Sequence, residues 1–532
     1  MSFVKDANKM NEKKVNEKID DKIVDVAKIV DLAKRRGFIF PTSEIYGSSF
    51  AGFFDYGNYG ALLKRNVEDS WIKFFVTRRE DTVMMDGAII TNPNVWRASG
   101  HEQSFNDPLV ECKKCHKRFR ADALVEGALK ISVDGLSKEQ IQELISNHKI
   151  VCPDCKGEFT IIKMFNLMFK THVGTAEDDK SLVYMRPETA QLIFTNFKQI
   201  LLTSRKKLPF GIAQLGKAFR NEIAPRNFVF RSREFSQMEL EYFINPKKID
   251  DCPLLSKDHL DYEIDVLTEE MQDKNQNHKK MKIKELIKNK TIKTRWHAYW
   301  IVESLRWLEE IGIKKDNMRL RQHTKTELSH YSLETWDIEY NYSWGWKELV
   351  GIANRTDFDL KQHMNFSKSD LNYFDEEAKE KIVPHVIEPS FGLERVILTL
   401  LIDAYTEKKE KDETKVVLKI NKKIAAVAAA VFPLMKKDGL DKKAKEIFDG
   451  LKQDFVCEYD EAGSIGKRYA RADEAGTPVT LTVDYESLKN DSVTFRNRDD
   501  TRQIRVKTKD LRDVLQRFLN GEKLEKLGKL VK

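Results

Sequence analysis

The sequence predicts an α+β fold: an antiparallel β-sheet body flanked by helices, followed by a small C-terminal α/β domain. Three observations predict it. Two stretches, 211–222 and 230–243, alternate in polarity with period two across a loop containing Pro225, which is the pattern of paired strands. A run of charges at 406–415 marks a linker. Beyond it, a strand at 416–420, helices at 424–435 and 442–453, and strands at 478–483, 492–496 and 503–506 read as a separate α/β unit.

In chain order, residues 1–22 form a polar, Lys- and Asn-rich tail. Apolar residues from Ile23 to Ala33 recur at helical spacing, and Gly37 closes that helix. Residues 38–106 are rich in Gly and aromatics, which suggests tight turns against a sheet. Residues 112–155 carry two CxxC pairs and form a candidate insertion, and 156–245 return to a core-like composition. Residues 246–325 are Lys-rich with helical spacing and read as a second insertion. Residues 326–400 resume short strands and end in a helix from Gly392. The expected division is a body over 23–410, carrying both insertions, and a C-terminal domain over 411–532.

The chain has 532 residues, 41% apolar and 33% charged, with a formal net charge of +8. Such a mixture folds, and its mild positive charge permits a polyanionic partner without requiring one. The N-terminus lacks the apolar core of a secretory signal, and the longest apolar run, 424–435, is too short to span a bilayer. A cytoplasmic protein with no membrane partner is expected. The six cysteines then favour a metal site over a disulfide framework.

On the first predicted strand, Gln214, Gly216, Ala218, Arg220 and Glu222 share a face. On the second, Arg231, Arg233, Phe235, Gln237, Glu239 and Glu241 do. A solvated sheet with cross-strand ion pairs would show the same charges. Phe235 fits that reading poorly, because an aromatic ring among charges suits a flat stacking ligand. A further segment, Glu388-Pro-Ser-Phe-Gly-Leu-Glu-Arg395, adds a glycine for close backbone approach and an arginine early in a helix.

These residues carry a resemblance. Phe219-Arg-Asn-Glu222, a loop, then Arg231-x-x-x-Phe235 resembles motif 2 of the class II aminoacyl-tRNA synthetases, and Gly392-Leu-Glu-Arg395 resembles motif 3. Further strings narrow the likeness to the homodimeric glycyl-tRNA synthetases. They are Gly52-Phe-Phe-Asp-Tyr-Gly57, Trp96-Arg-Ala-Ser-Gly-His101, Phe165-Asn-Leu-Met-Phe169, Tyr184-Met-Arg-Pro-Glu-Thr-Ala-Gln191 and Gly351-Ile-Ala-Asn-Arg-Thr-Asp-Phe-Asp-Leu360. The likeness runs from about Val24 to Val506, outside the Lys-rich stretch.

The resemblance implies ATP-dependent attachment of glycine to tRNA(Gly) through a glycyl-adenylate, by a class II catalytic domain and an anticodon-binding domain, in a homodimer. Arg220 would hold the α-phosphate with a planar fork that lysine lacks. Glu222 would accept from the adenine amino group. Phe235 would stack on one adenine face and Arg395 on the other, near the γ-phosphate. Arg231 is a second phosphate candidate, and Glu348 would hold Mg²⁺. Arg220, Arg395 and Glu348 are thus the expected catalytic set, with Asn221, Phe230, Leu349 and Gly392 completing the ATP site. Arg97, Glu188, Gln237, Glu239, Glu388 and Ser390 are the expected glycine site. Several carboxylates around one ammonium make electrostatic sense, because without a cation they would raise one another's pKa.

Cys112, Cys115, Cys152 and Cys155 form two knuckles. Four thiolates complete a tetrahedral structural zinc site, with a helix expected between them over 134–147. Four reduced thiols without metal are the alternative. In the C-terminal domain, which resembles the anticodon-binding domain of related synthetases, Arg496 and Arg498 alternate with Phe495, and such a pattern suits unstacked RNA bases. Asp55-Tyr-Gly-Asn-Tyr-Gly60 departs from the family's Asp-Tyr-Gly-Pro-Leu-Gly. The rival readings are a non-catalytic synthetase-like protein that binds RNA or a partner, and a synthetase for another amino acid.

Overall fold

The computed structural model describes residues 23–47, 51–129, 131, 133, 136–175, 177–329, 331–410 and 413–531. The expected polar tail, residues 1–22, lies outside them.

Among the described residues, nine strands form the central sheet. They are β1 (Thr82–Met85), β2 (Phe210–Phe219), β3 (Glu234–Ile244), β4 (Glu263–Leu267), β5 (Lys279–Lys282), β6 (Met318–Gln322), β7 (Glu334–Tyr342), β8 (Gly345–Thr356) and β9 (His385–Gly392). The order is β5-β4-β6-β7-β8-β9-β3-β2-β1. Pairing is antiparallel except for β1 with β2 and β4 with β6.

One sheet face is packed with aromatics. Ala213, Met238, Leu240, Tyr242, Ile387 and Phe391 meet the buried rings Trp71, Trp300 and Trp307, which come from the helices Asn58–Ile72 and Arg295–Ile311. Thr294 caps the second helix by accepting from the His297 N–H, and Gly312 ends it at φ 107°, a conformation glycine adopts without strain. The opposite face is divided. Phe210, Ile212, Phe243 and Val386 pack under the helix Ala190–Ser204. Further along the same strands, Gln214, Gln237, Glu239, Glu388 and Ser390 replace them on that face.

Four expectations need correction. Residues 246–325 are not set apart from the body: they supply β4, β5, β6 and the buried helix Arg295–Ile311. Two of their lysines, Lys279 and Lys280, are exposed on the edge strand β5, a placement that blocks strand addition. Residues 38–106 contain a 15-residue helix, Asn58–Ile72, as well as turns. It starts where Gly60 packs against the Phe38 backbone; a Cβ there would lie 1.8 Å from the Phe38 carbonyl oxygen. The charged run at 406–415 pairs as a ribbon, Tyr405–Glu410 with Glu413–Leu418. The apolar run 424–435 is a strand, Ala429–Pro433, rather than a helix. It lies between parallel neighbours and is buried on both faces, so it shows no period-two alternation.

That strand is second in a five-stranded sheet, next to the central strand Val479–Val483, with its own core of Val431, Leu481, Phe495, Leu515 and Phe518. Leu418, Ile420 and Ile424 to Ala426 pack into the main core instead. Within the cysteine-bearing segment, the helix spans Lys138–Asn147 behind a Ser137/Gln140 capping box. Asp134, where it was expected to begin, lies outside the described residues.

Candidate active site

β2 and β3 pair so that Gln214, Gly216 and Ala218 oppose Glu239, Gln237 and Phe235, as period two requires. Gly216 is needed here. A Cβ would lie 2.1 Å from Arg186 Nη2, and that side chain crosses beneath to donate from Nε to the Lys217 carbonyl at 2.7 Å. β2 ends at Phe219, earlier than the sequence suggested. Arg220 and Glu222 therefore sit on the following loop, yet still reach the same cleft. The Arg220 Nε donates to the Pro187 carbonyl at 3.1 Å, and its guanidinium carbon lies 5.3 Å from the Phe235 ring centroid.

A cavity of about 140 Å³ opens there. Its walls include Arg220, Glu222, Phe230, Arg231, Phe235, Gln237, Glu348, Ser390, Gly392 and Arg395. Arg231 Nε donates to Glu222 at 2.6 Å, and Arg395 Nη1 lies 3.0 Å from Glu348 Oε2. Both arginines thus meet a carboxylate in the cleft. Arg395 packs over Phe230, with 4.6 Å from guanidinium carbon to ring centroid; it is Arg220 that lies over Phe235. Two expected ATP residues lie outside the cavity wall. Leu349 is buried in the main core, and Asn221 is tied by its N–H to the Leu167 carbonyl at 2.7 Å.

Beside the cavity lies a carboxylate cluster. Glu239 Oε2 accepts from the Thr189 N–H at 2.9 Å and from the Thr189 hydroxyl. Its Oε1 accepts from Ser390 Oγ and Gln237 Nε2, each at 2.8 Å. Glu188 lies 3.3 Å from His101 Nε2 and accepts from Gln191 Nε2 at 3.1 Å. Glu388 accepts from Arg355 at 2.9 Å, and the same guanidinium forks onto Asp359 at 2.8 and 2.9 Å. Arg97, expected among these groups, turns instead to Glu102 at 2.7 Å, with its side chain half exposed.

Sequence reasoning assigned no role to Arg355, Asp359, Thr189 or His101. The first two stand four residues apart inside a string already quoted, Arg355 near the end of β8 and Asp359 in the first turn of the helix Phe358–Ser367 that follows. It also left Glu241 unassigned. Glu241 is fully buried beside Glu388 on the adjoining strand, and among the described residues neither of its carboxyl oxygens has a hydrogen-bond partner. Burial, reinforced by Glu388, drives Glu241 well above the ordinary carboxyl range. Burial also raises Glu239, with Glu188 adding to the effect. Glu188 itself is held below its ordinary value: burial would raise it, but His101, Arg355 and Gln191 together outweigh that.

Family models agree with this geometry. One described as the tRNA synthetase class II core domain (G, H, P, S and T) matches residues 169–404, and one described as an anticodon binding domain matches 428–518. Glycine–tRNA ligase of Caldanaerobacter subterraneus subsp. tengcongensis is 48% identical over 489 residues, covering 91% of this chain and 96% of that protein. This chain belongs to the glycine–tRNA ligase family. Members from Clostridium kluyveri and Bacillus anthracis are 46% and 44% identical, each over 92% of this chain and over 97% and 98% of their own lengths. Prolyl-tRNA synthetase from Cryptosporidium parvum shares the fold, with a TM-score of 0.56 at 12% identity, over 94% of this chain and 80% of that one.

Within this glycine–tRNA ligase fold, the four cysteine sulfurs lie within 4.8 Å of one another, with Cys112 to Cys155 at 3.4 Å and Cys115 to Cys152 at 3.8 Å. The two knuckles match. The N–H groups of His116 and Lys156 donate to the carbonyls of Cys112 and Cys152, each at 2.9 Å, and both residues have positive φ, 57° and 59°.

The C-terminal arginines differ from expectation. Arg496 is buried and forks onto Asp473 with two bonds of 2.9 Å. Arg498 is buried and donates to the carbonyls of Gly476 and Ile420 at 2.6 and 2.8 Å. Both brace the domain from inside, and Phe495 is core. Among the described residues no helix is long and apolar enough to cross a membrane.

Proposed function

We propose that this chain joins glycine to tRNA(Gly) in two steps, with the ammonium of glycine seated among Glu188, Glu239 and Glu388 and ATP in the adjoining cavity. The observation that carries the reading is the position of Glu239. Thr189, Ser390 and Gln237 fix its carboxylate from three directions, and two of these partners, Ser390 and Gln237, also line the cavity. A cation held there would have its carboxylate beside any phosphate on Arg220.

In the first step a glycine carboxylate oxygen bonds to the α-phosphorus, and the bond to pyrophosphate breaks. The attacking group is already ionised, so positioning and charge stabilisation supply the catalysis. Arg220 holds the α-phosphate, Glu222 reads the adenine amino group, Phe235 offers its ring to the base and Arg395 reaches the outer phosphates. In the second step the terminal adenosine of tRNA attacks the glycyl carbonyl and AMP leaves. The domain over 428–518 would hold the anticodon.

Glu348 suits Mg²⁺, which takes one or two carboxylates together with phosphate oxygens. For the cysteines, a tetrahedron with Zn–S bonds near 2.3 Å spaces its sulfurs by about 3.8 Å, and the observed 3.4 and 3.8 Å separations fit it. Four thiolates leave no open position, so this zinc would be structural. A cytoplasmic homodimer is the assembly we infer. Glu239→Gln should raise the KM for glycine by about tenfold or more in ATP–pyrophosphate exchange while leaving that for ATP near normal. An unchanged glycine KM would sink the assignment.

A further inference from the structure

The cysteine-bearing segment is rooted in the walls of the candidate site. Its two ends pair as antiparallel strands, with Asp107 opposite Phe165. Just beyond them, the Leu167 N–H donates to the Phe105 carbonyl at 3.0 Å, and the Leu167 carbonyl accepts from the Asn221 N–H at 2.7 Å. The Phe105 ring centroid lies 5.4 Å from the Arg220 guanidinium carbon. Two residues on, Asp107 Oδ2 is 2.8 Å from Arg120 Nη1 and 3.5 Å from Arg231 Nη2. This oxygen is buried, and no hydrogen bond from the described residues reaches it. Arg231 continues the line by donating to Glu222 at 2.6 Å. Alternating charge therefore runs from Arg120 through Asp107 and Arg231 to Glu222, with at most about a fifth of each side chain exposed.

We propose that Asp107 is a positioning residue for ATP: it anchors Arg231, so that the guanidinium holds Glu222 toward the base while its remaining donors stay free for phosphate. This rests on the assignment of Glu222 and Arg231 to ATP made above. A planar guanidinium between two carboxylates is fixed at both edges, and a charge pair shielded from water aligns more firmly than an exposed one. Asp107 is not satisfied by hydrogen bonds within its own segment, and the two groups paired with its buried oxygen are cations. Arg120 is aimed at it by Asp122, which holds the other edge of its guanidinium. The segment would then shape the nucleotide site through its base.

The test is ATP–pyrophosphate exchange by the full chain carrying Asp107→Asn, Arg231→Ala or both. Each single variant should raise the KM for ATP about tenfold while the KM for glycine stays within about twofold, and the double variant should be no worse than Arg231→Ala alone. A normal ATP KM in Asp107→Asn beside an impaired Arg231→Ala overturns the inference, and so does an additive double variant. A normal ATP KM in Arg231→Ala overturns the assignment of Arg231 itself. If Asp107→Asn does not fold, Arg120→Lys reads the same relation, since lysine lacks the fork that aims Asp107. Its ATP KM should rise in the same direction, and an unchanged value counts against the proposal. A merely structural role would raise both KM values together.

Discussion

Glu388 accepts a hydrogen bond from Arg355 at 2.9 Å, yet burial outweighs this partner and, with Glu239 and Glu188 adding to it, pushes the Glu388 carboxyl up to about 8. A carboxyl raised in this way is neutral below that pH and anionic above it. An ammonium prefers the anion. The KM for glycine should therefore fall as pH rises from about 6.5 towards about 8, with a smaller change in kcat. Glu388→Gln should flatten this limb and leave KM high throughout. A glycine KM that does not vary with pH in the unaltered protein would contradict the relation.

Arg220 reaches the cleft from the loop after β2, with its guanidinium beside Phe235. Arg220→Ala should lower ATP–pyrophosphate exchange by about a hundredfold or more. The fold should survive, because this side chain braces no buried carboxylate. Exchange near normal, measured with circular dichroism as a control for folding, would remove Arg220 from the phosphate.

Arg496 and Asp473 form a buried fork inside the C-terminal domain. Arg496→Ala strands a buried carboxylate and should cost about 3 kcal/mol or more of stability. Replacing both partners with apolar residues should recover much of it. Chemical denaturation of the three variants distinguishes this bracing role from an RNA contact, which would leave stability unchanged.

The four cysteines should bring about one zinc per chain through purification without chelator, as read by elemental analysis. Cys152→Ser should lose the metal and expose residues 112–155 to protease. Protein holding less than about a tenth of an equivalent would leave the thiols simply reduced.

The site was partly legible in the sequence because a strand has a fixed period. Phe235, Gln237 and Glu239 had to share a face wherever the strand lay, and their partners Gln214 and Gly216 followed from the same rule. Partnership across long sequence separation was not legible. Thr189 stands 50 residues from Glu239, and Arg355 stands 33 from Glu388, so no local pattern joins them. Arg496 was misread for a related reason. Its alternation with Phe495 looked like an exposed surface, but Asp473, 23 residues away, makes its burial tolerable. Ala429–Pro433 was misread because a strand buried on both faces has the composition of a buried helix. The lysines of β5 hid a sheet edge behind the appearance of an insertion.

The carboxylate cluster beside the cavity should accept glycine and no larger amino acid. ATP–pyrophosphate exchange across a panel of amino acids tests it most directly. Glycine should support exchange, with alanine and serine at least about a hundredfold lower in kcat/KM, because a closed pocket rejects added atoms by clash. Equal exchange with alanine, or none with glycine, would contradict it.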